Sequence, residues 1–223
     1  MDLILAADLK GSCIVHGRSG NRDNYLPVVS PLASSSKPAQ YLQEIRPRYL
    51  YVADLDRITG TGSHDSIIPT LAGLVEVILL DRGCRSPDDL LTYPGVINVV
   101  GTETAGGDLG GYSGGYLSVD MKDGRVLPDN QDPITVLAMA AGCSFEGCIL
   151  LDIGGVGTQR GLNPAFLDRC RSAYPSRLLW GGGVATMDDL YLLRDSGFDG
   201  AIIATALHVG AIPVDLIRGG HLC

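Results

Sequence analysis

The chain has 223 residues, of which 45% are hydrophobic and 19% charged, and a formal net charge of -8. That apolar fraction supports a sizeable core and excludes a disordered chain, while the acidic balance excludes the clustered Lys and Arg that nucleic acid or an anionic membrane would require. Six cysteines lack CxxC pairing and Cys/His ligand spacing, so they read as reduced thiols of a cytoplasmic protein; no run approaches the ~18 apolar residues of a membrane span, and no basic, then apolar, leader opens the chain.

In chain order, the first apolar run, residues 3–7, delivers Asp8 to its end and is followed by a turn at Gly11. Residues 11–40 form a long polar connection, a length that points to a lid or a mobile segment, and lead into a short helix at residues 38–45. Apolar runs follow at residues 49–53 and 75–80; "SPDDLL" then carries helix-start signals, with Ser86 as cap and Asp88 and Asp89 in the first turn. After a run at residues 96–101 comes "TETAGGDLGGYSGG", whose six glycines predict that no regular helix forms there. The next run, residues 116–119, again ends on a carboxylate, Asp120, and turns at Asp123-Gly124. "DPITVLAMAAG" reads as a helix, residues 148–151 as a strand, and "LLDIGGVGTQRGLN" as a glycine-rich turn carrying Thr158. The last two runs, residues 177–180 and 200–204, flank the helical "TMDDLYLLRDSG" with its closing Gly197.

The eight runs are almost continuously apolar, as parallel strands covered on both faces must be. Strand and helix alternate, which predicts a single (β/α)8 barrel over residues 1–223 with a degenerate helix between strands four and five; an open doubly wound sheet is the alternative. Strand carboxyl ends converge on one mouth in a barrel, so Asp8, Asp54, Asp120 and Asp152 are expected around it. Two facing carboxylates can divide general acid and general base work, and Asp8 with Asp120 is the candidate pair, although a strand-terminal Asp also serves as a turn or helix cap. Thr158 could orient a carboxylate or a substrate, or be an ordinary turn residue. Gly181, Gly182 and Gly183 with Ala204 and Thr205 leave backbone N–H groups open to an anion after strands seven and eight; the glycines could equally relieve crowding. Trp180 reads as packing, and four scattered histidines give no metal site.

Taken together, "LILAADLKGSCIV", "YLYVADLD", "RGCRSPDDL", "VVGTETA", "YLSVDMKDGRV", "LLDIGGVGT", "WGGGVATMDDL" and "GAIIATALHVG" resemble the histidine-biosynthesis isomerase and cyclase family of (β/α)8 barrels, in order and over essentially the whole chain. The closer resemblance is to the isomerase. It implies a cofactor-free Amadori rearrangement of a phosphoribosyl aminoaldose to an aminoketose, with Asp8 as base, Asp120 as acid and Thr158 as supporting hydroxyl. It also implies phosphate contacts from Gly83, Arg85, Gly101 and Thr102 at one end of the pocket, and from Gly157, Gly181, Gly182, Gly183, Ala204 and Thr205 towards the other. The partner so implied is a phosphorylated small molecule, with self-association left open.

The chain departs from the family pattern after strand three, where Asp81 and Arg82 replace glycines, and at Val156 and Ala204. A carboxylate there would repel a bound phosphate. A cyclase-like lyase fed by a glutaminase, and a phosphosugar-binding barrel without turnover, are the alternatives to the isomerase.

Overall fold

The computed structural model describes residues 1–106, 109–157 and 161–223. Eight parallel strands close a barrel: β1 (Asp2–Lys10), β2 (Tyr49–Asp54), β3 (Val77–Asp81), β4 (Val96–Gly101), β5 (Tyr116–Lys122), β6 (Gly147–Asp152), β7 (Arg177–Gly181) and β8 (Gly200–Ile203). Closure is made by β8 pairing in parallel with β1, Asp2 opposite Gly200 through Leu5 opposite Ile203. The chain is therefore a (β/α)8 barrel.

Two apolar layers explain why the strands carry hydrophobic residues on both faces. Ile4, Tyr51, Leu79, Val99, Tyr116, Ile149, Leu179 and Ile202 fill the lumen. The alternate positions, such as Leu3, Leu5, Leu50, Leu80, Leu117 and Leu150, pack outward with Tyr41, Leu137, Leu167 and Leu190 of the helices. Trp180 belongs to this outer layer, edge-on to Phe166 and Phe198, and its indole N–H donates to the Gly182 carbonyl at 2.7 Å.

The helices are α1 (Pro38–Ile45), α2 (Leu55–Thr59), α3 (Ile68–Ala72), α4 (Thr102–Ala105), α5 (Pro133–Ala140), α6 (Pro164–Ala173), α7 (Met187–Asp195), α8 (Thr205–His208) and α9 (Val214–Gly219). Caps fix several starts: Asp132 accepts from Thr135 N–H, Asn163 from Phe166 N–H, and Thr186 forms a capping box with Asp189. Among the described residues between β4 and β5, helix is limited to α4, which ends at Gly106 with φ 71°. The segment after Ser86 is a correction: the expected helix is one 3-10 turn, Pro87–Asp89, because Leu90 is already extended and Asn98 of β4 brackets Leu91 by two hydrogen bonds of 2.9 Å. Ser86, expected as a cap, forms a capping box with Asp89; the helix behind it is absent.

Two strands run further than their apolar residues suggest. Past Asp8, β1 turns at Gly11 and Ser12 (φ 55° and 66°) and pairs antiparallel with Cys13–Val15; past Asp120, β5 turns at Asp123 and Gly124 (φ 53° and 73°) and pairs with Arg125–Val126. Both are two-residue hairpins with positive φ at both turn positions, the geometry that matches strand twist. Among the described residues no helix is long and apolar enough to cross a membrane.

Candidate active site

A cavity opens at the carboxyl ends of the strands, lined by Asp8 from β1, Tyr51 and Ala53 from β2, Asp81 from β3 and Asp120 from β5, with Glu103 from α4. Which carboxylates reach it is decided by strand alternation. Ala53 faces the cavity, so its neighbour Asp54 points to the outer layer, opposite Leu9; there it caps α2 through Arg57 N–H (3.2 Å) and holds His64 by Nδ1 (2.8 Å) and N–H (2.7 Å). Leu151 faces the cavity, so Asp152 lies outward opposite Met121 and accepts from Gly155 N–H at 3.0 Å. Asp54 and Asp152, expected around the mouth, thus stand at its rim with structural roles.

Asp8 and Asp120 do share the cavity, and a third carboxylate joins them. Asp81 sits opposite Ala53 in register and is 6% exposed, which puts a group read in the sequence only as a repeller of phosphate into the lumen itself. Its Oδ1 accepts from Gly83 N–H (3.0 Å) and its Oδ2 from the Tyr51 hydroxyl (3.3 Å). Asp120 is clamped harder: Ser118 Oγ donates to Oδ1 at 2.6 Å, Glu103 N–H to Oδ2 at 3.1 Å, and its own N–H donates to Thr102 Oγ1 at 3.0 Å. Gly101 is the wall behind the pair. A Cβ there would lie 2.7 Å from Asp120 Oδ2 and 3.5 Å from Asp81 Oδ2.

Burial pushes the Asp8 carboxyl up to about 6, against the pull of the Arg22 guanidinium and with a push from Asp81. Asp81 and Asp120 are both raised by burial; Asp120 is raised further by Asp81, partly offset by the Ser118 and Glu103 hydrogen bonds. Two carboxylates so close in a dry site do not both ionise readily, so the pair holds a proton near neutrality. Arg22, from the long connection after β1, reaches the same cavity and is forked onto Glu103 at 2.9 and 2.6 Å.

The remaining sequence-stated site residues divide between two places. Gly157, Gly182, Gly183, Ala204 and Thr205 line the cavity, and His16 bonds Thr205 Oγ1 at 3.3 Å. Gly181 stands behind them, where a Cβ would meet Leu151 Cδ1 at 2.7 Å, so it serves packing. Gly83, Arg85, Gly101 and Thr102 do not line the cavity: Gly101 is the wall behind Asp120, and the exposed Arg85 donates to the carbonyls of Gly83 (3.1 Å) and Ile58 (2.9 Å). Thr158 lies outside the described residues.

Sequence reading missed Asp81 as a lumen acid, Glu103, Arg22, Tyr51, His16 and His208. Parity from Ala53 and Asp8 could have found Asp81 and, two residues before Ala53 on the same face of β2, Tyr51; Arg22 and His16 come from the long connection after β1, and Glu103 and His208 from the short helices α4 and α8, whose paths no pattern fixes. His208 bonds Tyr41 OH and Ser30 Oγ, each at 2.9 Å, and burial with the nearby His16 lowers it to about 4. Among the described residues no His, Cys, Asp and Glu side chains converge as a metal site.

The family of histidine biosynthesis proteins matches residues 111–213. An uncharacterized protein of Methanocaldococcus jannaschii is 34% identical over 226 residues, spanning 97% of each chain. The 1-(5-phosphoribosyl)-5-((5-phosphoribosylamino)methylideneamino)imidazole-4-carboxamide isomerase of Thermus thermophilus is 29% identical over 95% of this chain and 96% of its own. An isomerase of the same name from Methanothrix thermoacetophila is 28% identical over 95% and 94%.

Proposed function

The chain belongs to the histidine-biosynthesis isomerase and cyclase family of barrels, and we propose that it catalyses an aldose to ketose rearrangement of an N-phosphoribosyl amine. The observation that carries this reading is the pairing of Asp8 and Asp120 in one cavity with unequal environments. Arg22 favours the ionised form of Asp8, whereas Asp81 favours the protonated form of Asp120. Asp120 is therefore the acid and Asp8 the base.

In the first step the Asp120 carboxyl gives its proton to the furanose ring oxygen as the C1–O bond breaks, and the nitrogen lone pair forms a protonated imine with C1. The Asp8 carboxylate then removes the C2 proton, and the electron pair moves to the imine to give an enolamine. Tautomerisation of that enolamine yields the aminoketose. No net proton, electron or group is gained or lost, which is why the rearrangement needs no cofactor. Thr158 is proposed to support one of the carboxylates, and Gly182, Gly183, Ala204 and Thr205 to seat a substrate phosphate on backbone N–H groups.

The test is to incubate the protein with the ribotide named for the Thermus relative and follow aminoketose formation by NMR. Product that disappears in Asp8→Asn and in Asp120→Asn supports the reading. Product formation that survives in both folded variants would overturn it.

A further inference from the structure

Resting on the isomerase reading of the same cavity, we propose that its substrate carries one phosphate, seated at the β7–β8 end. We further propose that Asp81 selects at the β3–β4 end for an uncharged or cationic group bearing hydrogen-bond donors.

The two ends of the cavity differ in what they can offer an anion. At β7–β8 the lining is Gly182, Gly183, Ala204 and Thr205, small and uncharged, with His16 on the Thr205 hydroxyl. At β3–β4, among the described residues, most donors that could hold a phosphate are taken by the chain itself; the buried Nε atoms of Arg57 and Arg82 have no partner. The Gly83 N–H is bound by Asp81 Oδ1 at 3.0 Å and the Glu103 N–H by Asp120 Oδ2 at 3.1 Å. The N–H groups of Arg85 and Ser86 go to Asp89 Oδ2 at 2.8 and 3.2 Å. The guanidinium of Arg85 is spent on two backbone carbonyls, that of Arg82 on Asp65 (2.5 Å) and the Asp89 carbonyl (2.8 Å), and that of Arg22 on Glu103.

Carboxylates of the protein thus occupy the positions that a ligand anion would take. Among the described residues, what this end shows to the cavity is Asp81, Asp120 and Glu103, set against the already forked Arg22. A phosphate dianion arriving there meets like charge in a site of low dielectric and displaces hydrogen bonds it cannot replace. A hydroxyl, amine or amide donor meets acceptors. Asp81 is central because it orders the Gly83 turn and lies beside Asp120 against the Gly101 wall.

Calorimetric binding at a pH of about 8 tests this with three ligands: the two-phosphate ribotide of the Thermus relative and the two monophosphates made by removing either phosphate. One monophosphate is expected to bind at least about 10-fold more tightly than the two-phosphate ligand, and Asp81→Asn should narrow that ratio by about 10-fold. Asp81→Gly, which restores the residue type common in the family, should narrow it as well, and thermal unfolding confirms that each variant is folded. Tighter binding of the two-phosphate ligand by the unaltered protein, or an unchanged ratio in both folded variants, overturns the proposal. Product formation is followed separately on all three ligands: its absence throughout sinks the isomerase reading, while the binding ratio alone decides the role of Asp81.

Discussion

The halves of the barrel that begin at β1 and at β5 share one local plan. In "DLKGSC" and "DMKDGR" a lumen carboxylate is followed by an outward apolar residue, a lysine and a two-residue turn, and each run folds back as a hairpin. The neighbouring strands match too: β4 leads into Gly101-Thr102 beside Asp120, and β8 into Ala204-Thr205 near Asp8. Yet Thr102 accepts the Asp120 N–H, whereas Thr205 turns to His16. Among the described residues nothing hydrogen-bonds the Asp8 carboxylate, and its environment is set by burial and by the charges of Arg22 and Asp81. One local design therefore yields two chemically different acids, because Ser118 stands two residues before Asp120 where Ala6 precedes Asp8, and because the other groups around each come from elsewhere in the chain.

The largest effect that can break this comparison is loss of turnover. Asp8→Asn and Asp120→Asn should each lower kcat by about 100- to 10,000-fold, the range of a positioned proton-transfer group. A difference in which step fails would sharpen it: Asp120→Asn should stop ring opening, while Asp8→Asn should leave exchange of the C2 proton with solvent abolished. Exchange retained in Asp8→Asn would remove Asp8 as the base.

The wall behind each carboxylate is the next place to press. Gly101→Ala puts a methyl 2.7 Å from Asp120 Oδ2, and Gly17→Ala puts one 2.7 Å from Asp8 Oδ2 and 3.0 Å from Val156 Cγ1. Because Asp120 is held by three hydrogen bonds and Asp8 is not, Gly101→Ala should cost about 10-fold more in kcat than Gly17→Ala. Equal losses in steady-state kinetics would show the clamp on Asp120 to be irrelevant.

The pH profile should carry two limbs. Activity rises through about 6 as Asp8 ionises and falls at higher pH as Asp120 loses its proton. Asp81→Asn removes the repulsion that raises Asp120, so the alkaline limb should move to lower pH, while the acid limb, where Asp81 also pushes Asp8 up, moves less. A profile of kcat/KM unchanged by that substitution would separate Asp81 from Asp120.

The smallest effect is on stability. Asp8 has its folded-state value raised to about 6 from 3.8, so its contribution is fully favourable below pH 3.8 and is lost as pH rises through about 6. At neutral pH Asp8→Asn should stabilise the fold by on the order of 2 kcal/mol, and at pH 4 it should do almost nothing. Denaturant titration at both values checks the sign. Greater stabilisation at pH 4 than at pH 7 would contradict the assigned shift.

The sequence by itself determined the barrel: eight runs apolar on both faces leave parallel strands covered by helices as the consistent answer, and local caps and turn residues place most boundaries within a few positions. It also singled out Asp8 and Asp120, whose spacing to the following turn repeats and which line one cavity. Helix lengths between β3 and β5 were less legible, since the "SPDDLL" cap is satisfied by a single turn once Asn98 ties down Leu91. Only the tertiary structure decided which strand-end aspartates enter the cavity, because that depends on register around a closed barrel: Asp54 and Asp152 are one position out of phase, and Asp81 is in phase. It alone placed Arg22 on Glu103, where a residue from the long β1 connection meets one from α4 across 81 positions of sequence. Local patterns report which face of a strand is buried; the sign of the charge that faces it from another strand is a property of the closed fold.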